Sequence, residues 1–314
     1  MDAVAGLLDG PRARGAFLIR SSLDPPWALR IEDEAALTVT AVVRGEVQIW
    51  FDGDRPLRLG AGDVAIVRGP EPYTVADDPA TPVQAVILPG QRCTTPEGRE
   101  VETMTHFGVR AWGNSPDGAT VMLCGTYQYD GEVSRRLLRA LPPMLVVRDD
   151  EWDCPFVALL AGEIVKDHPG QEAVLDRLLD LLLIAALRSW FVRPEAAAPG
   201  WYRASSDPIV GHALALLHHD PAHPWTVAEL ADSAGISRAA LARRFNELVG
   251  EPPMAFLTGW RIALAADLLR EPGATLGSVA DQVGYSGPFA LSTAFKRVRG
   301  VSPRQYLAAA AVAG

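Results

Sequence analysis

The sequence predicts a multidomain α+β chain, with an N-terminal β-barrel followed by helices and then an all-helical C-terminal domain. Three observations predict it. Short apolar runs punctuated by Gly, Pro and Asp fill the chain from Ala16 to about Arg148, the pattern of an all-β barrel or sandwich. Apolar residues then recur at helical spacing from Trp152 to Phe191, and beyond Pro208 the text becomes short helices separated by capping residues. A length of 314 residues accommodates about two domains.

Taken in order, the strand-like runs are AFLIRSS from Ala16, LTVTAVV from Leu37, VQIWF from Val47, VAIV from Val64, YTVA from Tyr73, VQAVIL from Val83, TVMLCGTYQY from Thr120 and MLVVR from Met144. Asp52-Gly53-Asp54 and Ala61-Gly62-Asp63 supply turn chemistry between them. This gives a barrel domain over residues 1–150. Residues 151–192 read as two helices, Trp152 to Val165 and Gly170 to Phe191. The second has a leucine-rich face suited either to a partner copy or to its own barrel. Residues 193–206, rich in Pro, Ala and Ser, break the period and read as a flexible linker. The domain that follows, 207–314, opens helices at Asp207-Pro208, at the capping box Thr226-x-x-Glu229, at Ser237, Pro253, Thr275, Ser286 with Pro288, and Ser302-Pro303.

Within that last domain the chain repeats itself. TVAELADSAGIS from Thr226 aligns on TLGSVADQVGYS from Thr275, matching Thr226 with Thr275, Ala231 with Ala280, Gly235 with Gly284 and Ser237 with Ser286. Further on, the offset grows by one residue, pairing Leu241 with Leu291, Phe245 with Phe295, Gly250 with Gly300 and Pro253 with Pro303. Each unit is helix, glycine turn, helix, the grammar of a helix-turn-helix, over 226–249 and 275–298. Gly235 and Gly284 sit where the chain must leave the first helix at positive φ. Leu241 with Phe245, and Leu291 with Phe295, are spaced to hold each second helix on the core. Two such units joined by the helix from Met254 to Leu269 suit successive major-groove turns on one face of a duplex.

The run Leu276-x-x-Val279-Ala280-x-x-Val283-Gly284-Tyr285, followed by Leu291, Phe295-Lys296-Arg297, Gly300, Ser302-Pro303 and Tyr306, resembles the AraC/XylS family of bacterial transcriptional regulators. The resemblance covers roughly the last hundred residues and implies double-stranded DNA as a partner, with RNA polymerase as a second if the protein activates. The residues of the reading helices not needed for packing are Arg238, Ala239, Ala242 and Arg243 in the first unit and Pro288, Phe289, Ser292 and Thr293 in the second. Arg243 can grip guanine O6 and N7, or act as a phosphate contact or a solvated surface arginine. Phe289 can meet a thymine methyl or be core. The family often carries an arginine or other polar group at Thr293, so this chain departs there. Arg244, Lys296, Arg297, Arg299 and Arg304 suit phosphate contacts.

The N-terminal half, through Val42 to Pro79, Leu123 to Gly131, Leu141 to Arg148 and Pro169 to Trp190, resembles the cupin-type sensor domains that accompany this DNA-binding module. The resemblance implies a cupin-like barrel that senses a small molecule or a stress. A catalytic cupin needs an H-x-H pair with a Glu and a further His to hold its metal. This half has only His106 and His168, and Tyr73 stands where many relatives carry a His. No metal, cofactor or enzymatic activity is therefore expected. Trp27, Trp50, Tyr73, His106, Trp112 and Tyr127 are the candidate pocket lining, with core packing as the alternative for each. Cys93 and Cys124 are candidate redox thiols or inert buried ones.

The charge of −9 is unevenly placed: residues up to Ser206 hold 20 basic and 29 acidic groups, and Asp207 to Gly314 hold 9 of each. DNA binding by a neutral half is expected to lean on dimerisation and on salt. The three cysteines form no C-x-x-C pair, Met1 to Gly10 shows no basic leader, and the apolar stretch at Leu178 to Leu187 is broken by Asp180. These features point to the cytoplasm, away from any membrane, and the leucine-rich face of the second helix fits a homodimer as the working form.

Overall fold

The computed structural model describes residues 17–127, 138–139, 141–193 and 198–313, with side chains as far as residue 308. It divides into two compact units, one built from residues 17–127 with 141–193 and the other from residues 198–313 with 138–139. Ala16, Gln128 and Tyr129 of the expected strands, and residues 194–197 of the expected linker, lie outside the described residues.

The N-terminal unit holds thirteen strands: β1 (Phe17–Leu23), β2 (Ala28–Ile31), β3 (Leu37–Arg44), β4 (Glu46–Phe51), β5 (Leu57–Gly60), β6 (Val64–Arg68), β7 (Tyr73–Ala76), β8 (Ala85–Leu88), β9 (Arg92–Thr94), β10 (Thr105–Gly108), β11 (Ala111–Gly113), β12 (Thr120–Tyr127) and β13 (Met144–Val147). They form a seven-stranded sheet in the order β10-β11-β1-β12-β3-β6-β13 and a six-stranded sheet in the order β5-β4-β7-β2-β8-β9. Side chains of both sheets meet in one core, with Leu23, Val42, Ala65 and Met122 from the first and Leu29, Val47, Ile49 and Val75 from the second. Strand β3 is buried at Leu37, Thr38, Val39, Thr40 and Ala41 alike, because one face looks into the barrel and the other lies under a helix.

That helix is α1 (Phe156–Ile164), which packs against β1 and β3 and pairs with α2 (Gln171–Phe191). Helix α1 starts four residues later than its expected opening at Trp152, since Asp149–Glu151 form a 3-10 turn and Pro155 precedes Phe156. The leucine face of α2 (Leu175, Leu179, Leu182, Leu183, Leu187) is buried within this unit, Leu182 to 0% exposure. Leu179 lies over Gly125 of β12, where a Cβ would come within 2.6 Å of it. Of the two uses expected for this face, burial against its own barrel is the one observed.

The C-terminal unit carries α3 (Gly200–Ser205), α4 (Val210–His219), α5 (Val227–Ser233), α6 (Arg238–Val249), α7 (Pro253–Leu268), α8 (Leu276–Gln282), α9 (Pro288–Arg299) and α10 (Pro303–Ala313). Helix α3 falls inside the stretch read as flexible linker, a correction. Its Trp201 and Ala204 are buried, and Gly200 approaches the Leu248 and Val249 carbonyls so closely that a Cβ would clash. The repeat is visible in three dimensions. Helices α5 and α8 are each 7 residues, capped by Thr226 on Glu229 N and Thr275 on Ser278 N, and α6 and α9 are each 12 residues. The extra residue of the second unit is Gly287, at φ 154°, which stands ahead of Pro288. Leu241, Phe245, Leu291 and Phe295 are all fully buried. Phe245 meets Phe256 of α7 edge-on at 5.9 Å, and Phe295 meets Tyr306 at 5.5 Å.

Candidate nucleic-acid interface and barrel cavity

Helix α6 is anchored by Leu241 and Phe245 and begins at the Ser237 cap, whose hydroxyl accepts from Ala240 N at 3.2 Å. With those two side chains turned inward, Arg238, Ala239 and Arg243 face solvent and Ala242 is half-buried. Arg243 makes one long contact, 3.8 Å to Glu247, between two well exposed side chains; a pair of that kind holds an arginine only weakly. Helix α9 repeats the arrangement with different chemistry. Pro288, Phe289, Thr293, Lys296 and Arg297 are exposed and Ser292 is half-buried. Phe289 is 89% exposed, so its core alternative is excluded. Thr293 already donates its hydroxyl to Phe289 O at 2.9 Å.

Two arginines expected to meet phosphate are engaged elsewhere. Arg244, expected to suit a phosphate contact, forms a two-pronged ion pair with Asp207, at 3.0 and 2.6 Å, and stays about half exposed. The same carboxylate accepts from Ile209 N and Val210 N and so closes the start of α4. Arg244 holds the Asp207 carboxyl below the usual carboxylate range. Arg299 lies over the Tyr306 ring at 5.7 Å, while Arg304 is exposed. Because Asp207 ties α6 to α4, Asp207→Ala removes both a cap and a bidentate pair. The expected cost is about 1 to 2 kcal/mol, read from the urea midpoint of the C-terminal unit.

In the barrel, a cavity of about 110 Å³ is lined by 18 residues from both sheets. The period of a strand decides which side chains reach it. On β12 these are Met122, Cys124 and Thr126; on β1, Phe17, Ile19 and Ser21; on β3, Thr38 and Thr40. In register, Ile19, Cys124 and Thr40 lie side by side across the three strands, as do Phe17, Thr126 and Thr38. Of the expected lining, Tyr73, His106 and Trp112 are present. Trp27, Trp50 and Tyr127 are not, a correction for each. Trp27 is fully buried core. Trp50 has the opposite parity to the inward Val47 and Ile49. Tyr127 follows Thr126 and so points outward, where its hydroxyl meets Asp180 of α2 at 3.4 Å.

Both candidate redox thiols line the same cavity. Burial pushes the Cys124 thiol up to about 11 and raises Cys93 as well, the reverse of what makes a thiolate nucleophile. Burial also raises the Tyr73 phenol. Among the described residues no three His, Cys, Asp or Glu side chains gather as a metal site.

Comparison with known proteins gives two matches along the chain, a cupin family over residues 2–192 and a helix-turn-helix domain family over residues 230–309. An AraC-like transcription regulator of Streptomyces lividans is 37% identical over 286 residues, covering 89% of each chain. The chain belongs to the AraC family of DNA-binding transcription regulators. An AraC-like regulator of Streptomyces antibioticus is 35% identical, again over 89% of each chain. The crystal structure of the AdpA DNA-binding domain in complex with a target DNA is 35% identical, with a TM-score of 0.31, covering 33% of this chain and 93% of that one.

This AraC-family regulator thus joins a cupin-like domain to a DNA-binding double helix-turn-helix domain, and no helix among its described residues is long and apolar enough to cross a membrane. The cavity's polar wall, Ser21, Asp33, Thr38, Thr40, Gln91 and Thr126, was absent from the sequence expectations. A signal was there: Thr38 and Thr40 alternate with Val39 and Ala41 in a run otherwise apolar from Leu37 to Val43, which places a polar stripe on one face.

Proposed function

We propose that the protein is a cytoplasmic, homodimeric transcription regulator in which α6 and α9 read double-stranded DNA and an effector in the barrel cavity shifts its operator affinity. One observation carries the DNA reading. The repeat matches Ala239 with Phe289 and Arg243 with Thr293, all four solvent-facing; Ala239 and Arg243 are four residues apart on one face of α6, and Phe289 and Thr293 four apart on one face of α9. The first unit therefore offers a guanidinium fork and the second an apolar ring. An Arg fork suits guanine and a bare ring suits the thymine methyl. Arg238, Ala242, Pro288 and Ser292 flank these positions, and Lys296 and Arg297 supply phosphate contacts that set position and salt dependence.

The effector arm rests on the cavity, apolar on most of its wall with a few convergent polar groups. Occupancy that stabilises one arrangement of the barrel and α2 shifts the population of DNA-competent molecules. Dimerisation is assigned to the side of α2 left open by its own barrel, where Val174 and Leu181 are exposed and Leu178 is half-buried. RNA polymerase becomes a partner if the outcome is activation.

Selection from random duplex DNA with the full chain tests the reading. The expected result is an enriched site with two conserved blocks about one helical turn apart, one centred on guanine and one on thymine. Recovery of unenriched DNA contradicts it.

A further inference from the structure

The barrel cavity has a carboxyl on its wall and, among the described residues, no Lys or Arg beside it. Asp33, just beyond β2, is only 6% exposed and lines the cavity. Among the described residues it accepts a hydrogen bond from Ala35 N at 3.1 Å and pairs with no Lys or Arg. Every other titratable group on the wall (Tyr73, Cys93, His106 and Cys124) falls short of a fixed cation. On the same cavity's wall, Thr126 Oγ1 is buried and has no hydrogen-bond partner among the described residues. A carboxylate taken out of water costs several kcal/mol unless a counter-charge meets it, and a buried hydroxyl without a partner adds to that. The rest of the wall joins apolar and aromatic side chains, among them Leu29, Ile31, Val75, Ile87, Met122 and the Trp112 ring, to the polar Ser21, Thr38, Thr40 and Gln91.

We infer that the cavity binds a small organic ammonium ion, its cation on Asp33 and Thr126 and its hydrocarbon body against the apolar wall. The inference rests on the effector reading above and names the chemical class of that effector. The aromatic rings of Tyr73 and Trp112 suit a cation as well as an alkyl group. A cavity of about 110 Å³ is somewhat smaller than the roughly 150 Å³ cavity that accepts benzene, so the body is a short chain or a single small ring. Neutral hydrocarbons of that size would fill the cavity and leave the carboxylate unanswered.

Calorimetric titration of the full chain at pH 7 with cyclopentylamine, cyclopentanol and methylcyclopentane, matched in heavy-atom count, tests the class. The amine is expected to bind at least about tenfold more tightly than the other two. Asp33→Asn, which keeps the acceptor for Ala35 N, is expected to bring it down to the alcohol. Thr126→Val, close in shape, is expected to weaken the amine by a few fold. The wild-type comparison decides the matter even if a variant fails to fold. Equal or tighter binding of the alcohol or hydrocarbon, or an amine advantage that survives Asp33→Asn, overturns the ammonium class and leaves the cavity as an effector site. Binding of none of the three overturns both.

Discussion

Gly284→Ala is expected to destabilise the C-terminal unit by about 3 kcal/mol and Gly235→Ala by only about 1. Both glycines hold the turn between the helices of their unit at positive φ, 77° and 67°, so both variants pay for an L-residue in the left-handed region. Only Gly284 meets a neighbour: a Cβ there would stand 2.3 Å from Ala222 O, whereas at Gly235 there is open space. The carbonyl cannot easily retreat. Arg261 of α7 donates to Pro221 O at 2.6 Å and to His223 O at 2.7 Å, clamping that loop on both sides of Ala222, and the Tyr285 ring lies 5.8 Å from the same guanidinium. Urea midpoints of the two variants check the difference; equal losses would mean that the Ala222 approach imposes no strain.

Asp63→Ala is expected to cost the N-terminal unit about 2 to 3 kcal/mol. Asp63, at the Gly62 corner between β5 and β6, is buried and accepts from Gly60 N at 2.9 Å, Arg148 Nη1 at 2.8 Å and Asp149 N at 2.9 Å. Its removal leaves two backbone donors without an acceptor; Arg148, partly exposed, regains some water, which keeps the loss at the lower end for a broken pair. Burial works to raise the Asp63 carboxyl, but these three donors win and hold it below the usual carboxylate range. A carboxyl lowered in the folded state stabilises fully above its unfolded pKa of about 3.9, and that contribution disappears as pH falls through the lower folded value. The gap between wild type and Asp63→Ala is therefore expected to be constant from pH 7 to about 5 and to close below about pH 4. Amide exchange at β3 and β6 measures it, and a gap unchanged at pH 3 would contradict the assignment.

Local grammar made the C-terminal unit readable. The Thr226 box, the two turn glycines and the one-residue change of offset are short-range features, and each has a counterpart in the structure, the last as Gly287. The outward faces of α6 and α9 were legible for the same reason, since knowing that Leu241, Phe245, Leu291 and Phe295 pack inward leaves the remaining faces outward. Arg244 was not legible: its partner Asp207 is 37 residues away, and no spacing rule connects a helix interior to a residue at the start of another helix. Phe289 was undecidable by composition, because an apolar ring reads as core until its helix phase is known. The barrel was legible as a class and illegible in detail. Strands β9 and β11 are 3 residues each, too short for a period to show, and a slip of one residue separates Tyr127, which faces α2, from Thr126, which faces the cavity.

The central claim is that α6 and α9 read bases, and repeating the selection from random duplexes with Arg243→Ala and Phe289→Ala tests it most directly. The account predicts that Arg243→Ala erases the guanine preference in one block, with a loss of about 1 to 3 kcal/mol on the wild-type site, and leaves the other block intact. Phe289→Ala is predicted to relax the thymine position of the second block alone. Affinity lost evenly across all sequences, with both blocks unchanged, would contradict the account and make these side chains backbone contacts.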